Sequence, residues 1–204
     1  MSRPLAFAAV VVVAGLSLCS PTGAQALVGQ PAPAFTATDS SGQSHSLSAY
    51  KGKWVVLEWT NHGCPFVQKH YGSGNMQKLQ QAYTQKGVVW LSLISSAPGK
   101  QGYLDGAQAN ALNKQRGAHP SAVLLDPTGQ VGRAYGAKTT PHMFIVDPQG
   151  TLVYAGGIDD TPSADPADIP KSRNFVSAAL DAVLAGKPVA TATSTPYGCS
   201  VKYN

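Results

Sequence analysis

The run Trp54-Val55-Val56-Leu57-Glu58-Trp59 breaks off at Asn61-His62-Gly63-Cys64-Pro65, and these two stretches together govern what the rest of the chain can do. A short apolar run rich in β-branched and aromatic residues suits a buried strand. Pro65 has no amide hydrogen and a φ already near the helical value, so a helix can begin there but not pass through it. The chain is therefore expected to leave a buried strand, turn sharply, and enter a helix at Phe66-Val67-Gln68-Lys69-His70 with Cys64 near its N-cap.

The alternation continues downstream. Gly72-Ser73-Gly74 interrupts the helix, and Asn75 can cap a second one reaching Lys86. Residues 88–94 read as another buried strand, residues 108–115 as part of a helix, and residues 122–125 as a third apolar run. Met143-Phe144-Ile145-Val146 and Leu152-Val153-Tyr154 flank Asp147-Pro148-Gln149-Gly150, which predicts an antiparallel hairpin. A last helix is expected from about Arg173 to Leu184. Residues 27–52 read as a Gly-, Pro- and Ser-rich lead-in with one hairpin turn at Asp39-Ser40-Ser41-Gly42-Gln43. Strand and helix in alternation point to an α/β fold. At 204 residues, 43% of them hydrophobic and 12% charged, one domain with a substantial core is expected, which excludes disorder, collagen and long coiled coils. Lys and Arg number 15 against 10 Asp and Glu, a net charge of +5 spread along the chain without a basic run, so a nucleic-acid partner is not expected. Trp54, Trp59 and Trp90 lie in apolar strands and are expected in the core.

The first 26 residues carry Arg3, an apolar stretch from Leu5 to Leu18, and the small-residue end Ala24-Gln25-Ala26, the pattern of a secretory signal. The apolar stretch is shorter than the roughly 20 residues that span a bilayer, so no stable membrane anchor is expected after cleavage at Ala26. Cys19 is a weak lipoprotein-type candidate because the residue before it is Leu18 rather than a small one. The expected division is thus a signal peptide at 1–26 and a single domain at 27–204, whose residues 187–204 form a flexible Pro-, Thr- and Ala-rich tail ending in Tyr197-Gly198-Cys199-Ser200-Val201-Lys202-Tyr203. The protein is expected to be exported, periplasmic or secreted, where disulfides persist. The mature chain keeps Cys64 and Cys199, enough for one internal disulfide.

A cysteine at the start of a helix faces unpaired backbone N–H groups and the positive end of the helix dipole, which favour thiolate over thiol. Such a thiolate can attack a disulfide sulfur, a peroxide oxygen or a carbonyl, and His62 is placed in sequence to stabilise it or move a proton. The competing reading is an inert buried cysteine or half of a static disulfide. His62, Cys64 and His70 also have the chemistry of a copper or zinc set, but no carboxylate completes it, so no metal and no cofactor are expected. Asp159 and Asp160 read as a solvated turn. Thr139-Thr140-Pro141 immediately before a strand is an unusual place for proline, and the Thr140-Pro141 bond is a candidate for the cis form.

Taken in order, the strand, the helix-capping Cys64, Gly136-Ala137-Lys138-Thr139-Thr140-Pro141, the hairpin through Asp147-Pro148-Gln149-Gly150, Gly156-Gly157-Ile158-Asp159-Asp160 and the ending Gly198-Cys199-Ser200-Val201-Lys202-Tyr203 resemble a thioredoxin-fold redoxin. More narrowly they resemble the bacterial peroxiredoxin-like group related to alkyl hydroperoxide reductase and thiol-specific antioxidant. The resemblance implies a thioredoxin-like fold, with a central mixed β-sheet flanked by helices, a redox-active Cys64, and a cis Pro141 packing across from it. It implies antioxidant or thiol-disulfide oxidoreductase activity, with a peroxide or a protein or small-molecule disulfide as substrate and an external thiol as donor. The chain departs from both parent patterns. Val67 stands where thioredoxins place the second cysteine, and Leu57 and Asn61 stand where peroxiredoxins place a proline and a threonine, with Thr60 one position off. An arginine that would polarise a peroxide is replaced by Pro141, leaving Arg133 to reach the site from elsewhere. Cys199 either returns to Cys64 as a resolving thiol, closing a loop worth about 4 kcal/mol or more if bridged, or serves a separate structural or partner-exchange role. The alternatives to an enzyme are a binding module that keeps a structural disulfide and uses the groove beside Thr140 and Pro141, or a metal-binding thioredoxin-like protein.

Overall fold

A computed structural model of the chain describes residues 26–204, so the expected leader lies outside the described residues up to Gln25. Seven strands form one mixed sheet in the order β2-β1-β5-β4-β3-β7-β8: β1 Thr36–Asp39, β2 Ser44–Ser46, β3 Val55–Trp59, β4 Val89–Ile94, β5 Ala122–Leu125, β7 His142–Val146 and β8 Leu152–Gly156. A separate two-stranded ladder joins β6 Thr139–Thr140 to β9 Cys199–Ser200. β3, β4 and β5 run parallel, and the flanking pairs are antiparallel. Parallel neighbours require crossovers. Helices α1 Pro65–Gly72 and α2 Asn75–Thr84 make the one from β3 to β4, and α3 Gly106–Arg116 makes the next. α4 Gln130–Tyr135 precedes β6, and α5 Phe175–Leu184 follows β8.

The central strands are covered on both sides, which is why β3 reads as a nearly continuous apolar run. Val55, Leu57 and Trp59 enter one core with Leu91, Leu93, Phe144, Val131 and Tyr135, while Val56 enters the other with Trp90, Met143, Val67, Met76, Val176 and Leu180. In the first core Trp59 meets Phe144 edge-on with centroids 5.1 Å apart, and its indole N–H donates to Ser95 Oγ at 3.0 Å. The thioredoxin-like α/β expectation holds, and the Asp147–Gly150 hairpin forms between β7 and β8.

Three local expectations change. The lead-in is more than a hairpin turn: β1 pairs with β5 and so places both lead-in strands in the main sheet. Gly74, at positive φ, rather than Asn75 stands at the N-cap of α2, because the Asn75 amide is turned back to His70 Nδ1 at 2.9 Å. Trp59 and Trp90 are fully buried, but Trp54 precedes β3 and is only partly covered. Among the described residues no helix is long and apolar enough to cross a membrane.

Candidate active site

β3 delivers the chain to the end of the sheet, and the turn that follows is built by Asn61. Its side-chain oxygen accepts the Gly63 amide at 2.9 Å, its carbonyl accepts the Cys64 amide at 3.0 Å, and its amide donates to the Gln101 carbonyl at 3.3 Å. Gln101 answers with a bond from Nε2 to the Gly63 carbonyl at 3.0 Å. Gly102 backs this clamp at φ +89°, where a Cβ would overlap the Asn61 side chain. Cys64 emerges as the N-cap of α1, extended at φ −84° and ψ 123°, with Pro65 in the first turn as the sequence required.

Cys64 is fully buried, and two segments distant in sequence close over it. One is the Thr140-Pro141 bond, which is cis; the Thr140 carbonyl accepts from Cys64 Sγ at 3.1 Å. The other is β9. Thr140 pairs with Cys199 in the short ladder, and the Cys199 amide donates to Cys64 Sγ at 3.4 Å. Both cysteines are free thiols with side chains in hydrogen-bonding reach of each other. Burial opposes ionisation of Cys64, but the Cys199 side chain and amide, the Val67 amide and Thr140 outweigh it and hold the thiol below its ordinary value. Cys199 moves the other way: burial, the bond to Cys64 and the negative charge of Cys64 push it up to about 11, against a smaller opposing pull from Lys202. Deprotonation is therefore easier at Cys64 than at Cys199.

His62, the expected proton carrier, makes no hydrogen bond to Cys64. Its Nδ1 is buried without a partner, and burial with the nearby Arg116 charge lowers its pKa, so the ring is neutral at pH 7. Arg133 does not face Cys64 either. It donates to the Thr128 carbonyl at 2.7 Å and the Asn204 carbonyl at 2.7 Å, and its guanidinium lies 4.7 Å from the Tyr203 ring centre. His70 is engaged by Asn75 and Tyr197. Among the described residues no group of three His, Cys, Asp or Glu side chains is placed to hold a metal ion.

His70 belongs instead to a buried network around Asp159, a residue that sequence reading placed in a solvated turn. Asp159 is only 3% exposed and not part of a solvated turn. Its carboxylate accepts the Tyr197 hydroxyl and the Thr161 amide, with Lys69 Nζ at 3.7 Å and His70 Nε2 at 3.8 Å. Lys69 Nζ also donates to the Thr161 carbonyl at 3.1 Å. Because Asn75 donates to Nδ1 of His70, the ring proton sits on Nε2, facing Tyr197 Oη at 3.3 Å. Burial, opposed by Asp159 and reinforced by Lys69, brings His70 down to about 4. Tyr197 thus ties the segment before Cys199 to α1, and its ring meets Phe66 edge-on at 5.7 Å.

A second buried carboxylate, Glu58, lies six residues before Cys64 and interrupts the apolar pattern of β3. It is fully buried and accepts four hydrogen bonds: Tyr71 Oη at 2.7 Å, Trp90 Nε1 at 2.8 Å, Ser92 Oγ at 3.0 Å and Gln80 Nε2 at 3.1 Å. These donors come from α1, α2 and β4, so Glu58 fastens the helices that carry Cys64 to the sheet. A charge inside an apolar run was the signal for it in the sequence.

With this geometry in place, comparison with known proteins places the chain. The model of the AhpC/TSA family matches residues 28–155. The thiol-disulfide oxidoreductase ResA of Bacillus thuringiensis subsp. konkukian is 28% identical over 126 residues, covering 62% of this chain and 67% of its own. Among solved structures, an uncharacterized conserved protein from Geobacillus kaustophilus superposes with a TM-score of 0.76 at 28% identity, covering 87% of this chain and 93% of the other. A hypothetical protein from Sinorhizobium meliloti 1021 gives 0.74 at 26% identity, with 89% and 97% covered.

Proposed function

The chain belongs to the AhpC/TSA family, and on that footing we propose that it is an exported thiol-disulfide oxidoreductase in which Cys64 attacks and Cys199 resolves. The observation that carries this reading is the contact of two free thiols beside the cis Thr140-Pro141 bond, where the Cys199 amide donates to Cys64 Sγ at 3.4 Å; the lowered Cys64 and the raised Cys199 agree with it. The name of the ResA relative supports the reaction class, and the leader pattern at residues 1–26 supports export.

In the first step the Cys64 thiolate attacks one sulfur of a substrate disulfide. A Cys64–substrate bond forms, the substrate S–S bond breaks, and the other substrate sulfur leaves as thiolate. Val67 occupies the place where a short-loop partner would stand, so the second thiol has to come from elsewhere, and the β6–β9 ladder supplies Cys199. Once Cys64 is held in the mixed disulfide its negative charge is gone. With it goes the Coulombic repulsion that raises Cys199, so ionisation of Cys199 becomes easier at the moment its attack is needed. Cys199 then loses its proton and bonds to the Cys64 sulfur, and the remaining substrate thiolate departs. Two electrons have passed from the dithiol to the substrate, and an external thiol donor restores the pair.

A disulfide is favoured over a peroxide as substrate because Arg133 is engaged with the chain end and Leu57 and Asn61 replace the peroxiredoxin-type proline and threonine. The test is reduction of insulin disulfides by dithiothreitol with the mature protein as catalyst. Catalysis that disappears in Cys64→Ser is expected. Turnover of hydrogen peroxide with no disulfide reduction would overturn the assignment.

A further inference from the structure

The end of the sheet opposite Cys64, where the chain enters β3 and β8 begins, carries an open groove of about 520 Å3. Val28, Trp54, Leu152, Val153, Val183 and Val189 are among its walls, and Lys187 is the one charged side chain in its lining. Sites for small molecules have this size and this make-up, mainly hydrophobic walls with few polar groups. None of these residues takes part in the thiol site.

Among the described residues Leu27, 63% exposed, and Leu184, 38% exposed, are the large hydrophobic side chains left in solvent. A singly exposed leucine needs no explanation. Here each is the chain neighbour of a lining residue, Leu27 of Val28 and Leu184 of Val183, so both flank the same groove. Trp54 is also only partly covered, whereas Trp59 and Trp90 are fully buried. The turn out of α5 brings in the charge. Gly186 adopts φ +70°, its amide donates to the Val183 carbonyl at 3.0 Å, and the Lys187 amide donates to the Ala182 carbonyl at 2.8 Å. Two carbonyls at this helix end are thereby occupied, and Lys187 stands in the groove's lining. Among the described residues neither Lys187 nor Lys53, the exposed chain neighbour of Trp54, forms an ion pair. The one carboxylate of α5, Asp181, is already met by Lys86 at 3.6 Å and by the Tyr83 hydroxyl at 3.0 Å.

We propose that this groove is a binding site for a single linear amphiphile with an anionic head, a long-chain carboxylate, whose apolar chain lies along Trp54 and Val153 while the head faces Lys187. Burial of the hydrocarbon chain supplies the affinity. Lys187 supplies the choice of head, because an unpaired ammonium at the edge of an apolar wall attracts an anion and repels a cation. A concave site with a wall from the lead-in and another from α5 suits one molecule better than it suits a flat membrane surface. The site shares no residue with the thiol pair, so the proposal stands apart from the oxidoreductase reading.

The experiment titrates dodecanoate, kept below its micelle-forming concentration, into the mature protein at neutral pH and follows tryptophan fluorescence and isothermal titration calorimetry. Because Trp54 is the tryptophan that lines the groove, a saturable change in emission at one dodecanoate per chain is expected, and Trp54→Phe is expected to lose that change while calorimetry still records binding. Dodecyltrimethylammonium, with the same chain and the opposite head, is expected to bind about tenfold or more weakly. Lys187→Glu is expected to weaken dodecanoate binding by about tenfold, since reversing a rim charge replaces an attraction with a repulsion. Val183→Phe fills the groove from α5 and is expected to abolish binding with Lys187 intact. The proposal is overturned by the absence of saturable dodecanoate binding, by equal affinity for the two head groups, or by unchanged binding in Val183→Phe. Two further results would give the groove to another occupant and overturn it as well: binding to anionic phospholipid vesicles without binding of free dodecanoate, which points to a membrane surface, and a dimer in light scattering that Val183→Phe dissociates, which points to a second copy of the chain.

Discussion

His142, the first residue of β7 and the neighbour of Pro141, gives the chain a built-in sensitivity to acid. The ring is 6% exposed, lies 4.4 Å from the Phe144 ring centre and accepts the Lys138 amide on Nδ1 at 3.3 Å. Burial, reinforced by the Lys138 charge, lowers its pKa to about 4 from 6.5. In the unfolded chain the same imidazole takes up a proton below about pH 6.5. The unfolded state therefore binds more protons than the folded one between pH 6.5 and pH 4, and stability falls as pH falls through that window. At pH 5 the cost from His142 alone is about 2 kcal/mol, approaching about 3 kcal/mol at pH 4 and below. His70, down to about 4 for a similar reason, adds a parallel loss. In His142→Phe the first loss is removed while the packing against Phe144 is retained, and the Lys138 amide gives up one acceptor at a cost of about 1 kcal/mol. Urea unfolding of the reduced proteins at pH 7.5 and pH 5 measures the difference. His142→Phe is expected to be equal to or slightly less stable than the natural chain at pH 7.5 and to gain about 2 kcal/mol relative to it on going to pH 5. If both proteins lose stability in parallel, the ring is not held neutral and the argument fails.

Cys199→Ser leaves the attacking thiol without a resolving partner, so a Cys64 mixed disulfide with substrate is expected to accumulate and to be seen as an added mass on intact protein; a clean return to free Cys64 would exclude Cys199 from resolution. Glu58→Gln turns one of two acceptor oxygens into a donor facing four donors, which is expected to cost about 2–4 kcal/mol in chemical denaturation. Trp59→Ala empties the centre of one core and is expected to cost about 3–5 kcal/mol, read from the same experiment.

Much of the fold was legible because burial on both faces leaves its mark on composition. β3, β4 and the β7–β8 hairpin stand out as apolar runs bounded by turn residues, and Pro65 fixes where α1 begins. α4 was not legible. It has only six residues between Gly129 and Gly136, both at positive φ, and its first amides are met by the Asp126 carboxylate rather than by a neighbouring cap. α3 was located by pattern, but its capping box, Asp105 with Gln108, went unread. The same distinction runs through the site. Cys64 and Thr140-Pro141 announce themselves locally, since a cysteine beside a helix-starting proline and a proline before a strand are odd in any sequence. Asp159 read as part of a solvated turn and His70 as a metal candidate, and nothing local marked Lys69 or Tyr197 as their partners, because what joins them is the C-terminal segment, 38 residues beyond Asp159, folding back across α1. Contacts of that reach leave no periodicity to read.

The most direct test of the pairing of Cys64 with Cys199 is a redox titration of the mature protein in dithiothreitol buffers, quenched with an alkylating reagent and read by mass at each cysteine. Both cysteines are expected to become protected together in one two-electron transition, with a disulfide-linked peptide joining residues 64 and 199. Protection of one cysteine without the other, or a Cys64 that stays free across the whole range, would contradict the account.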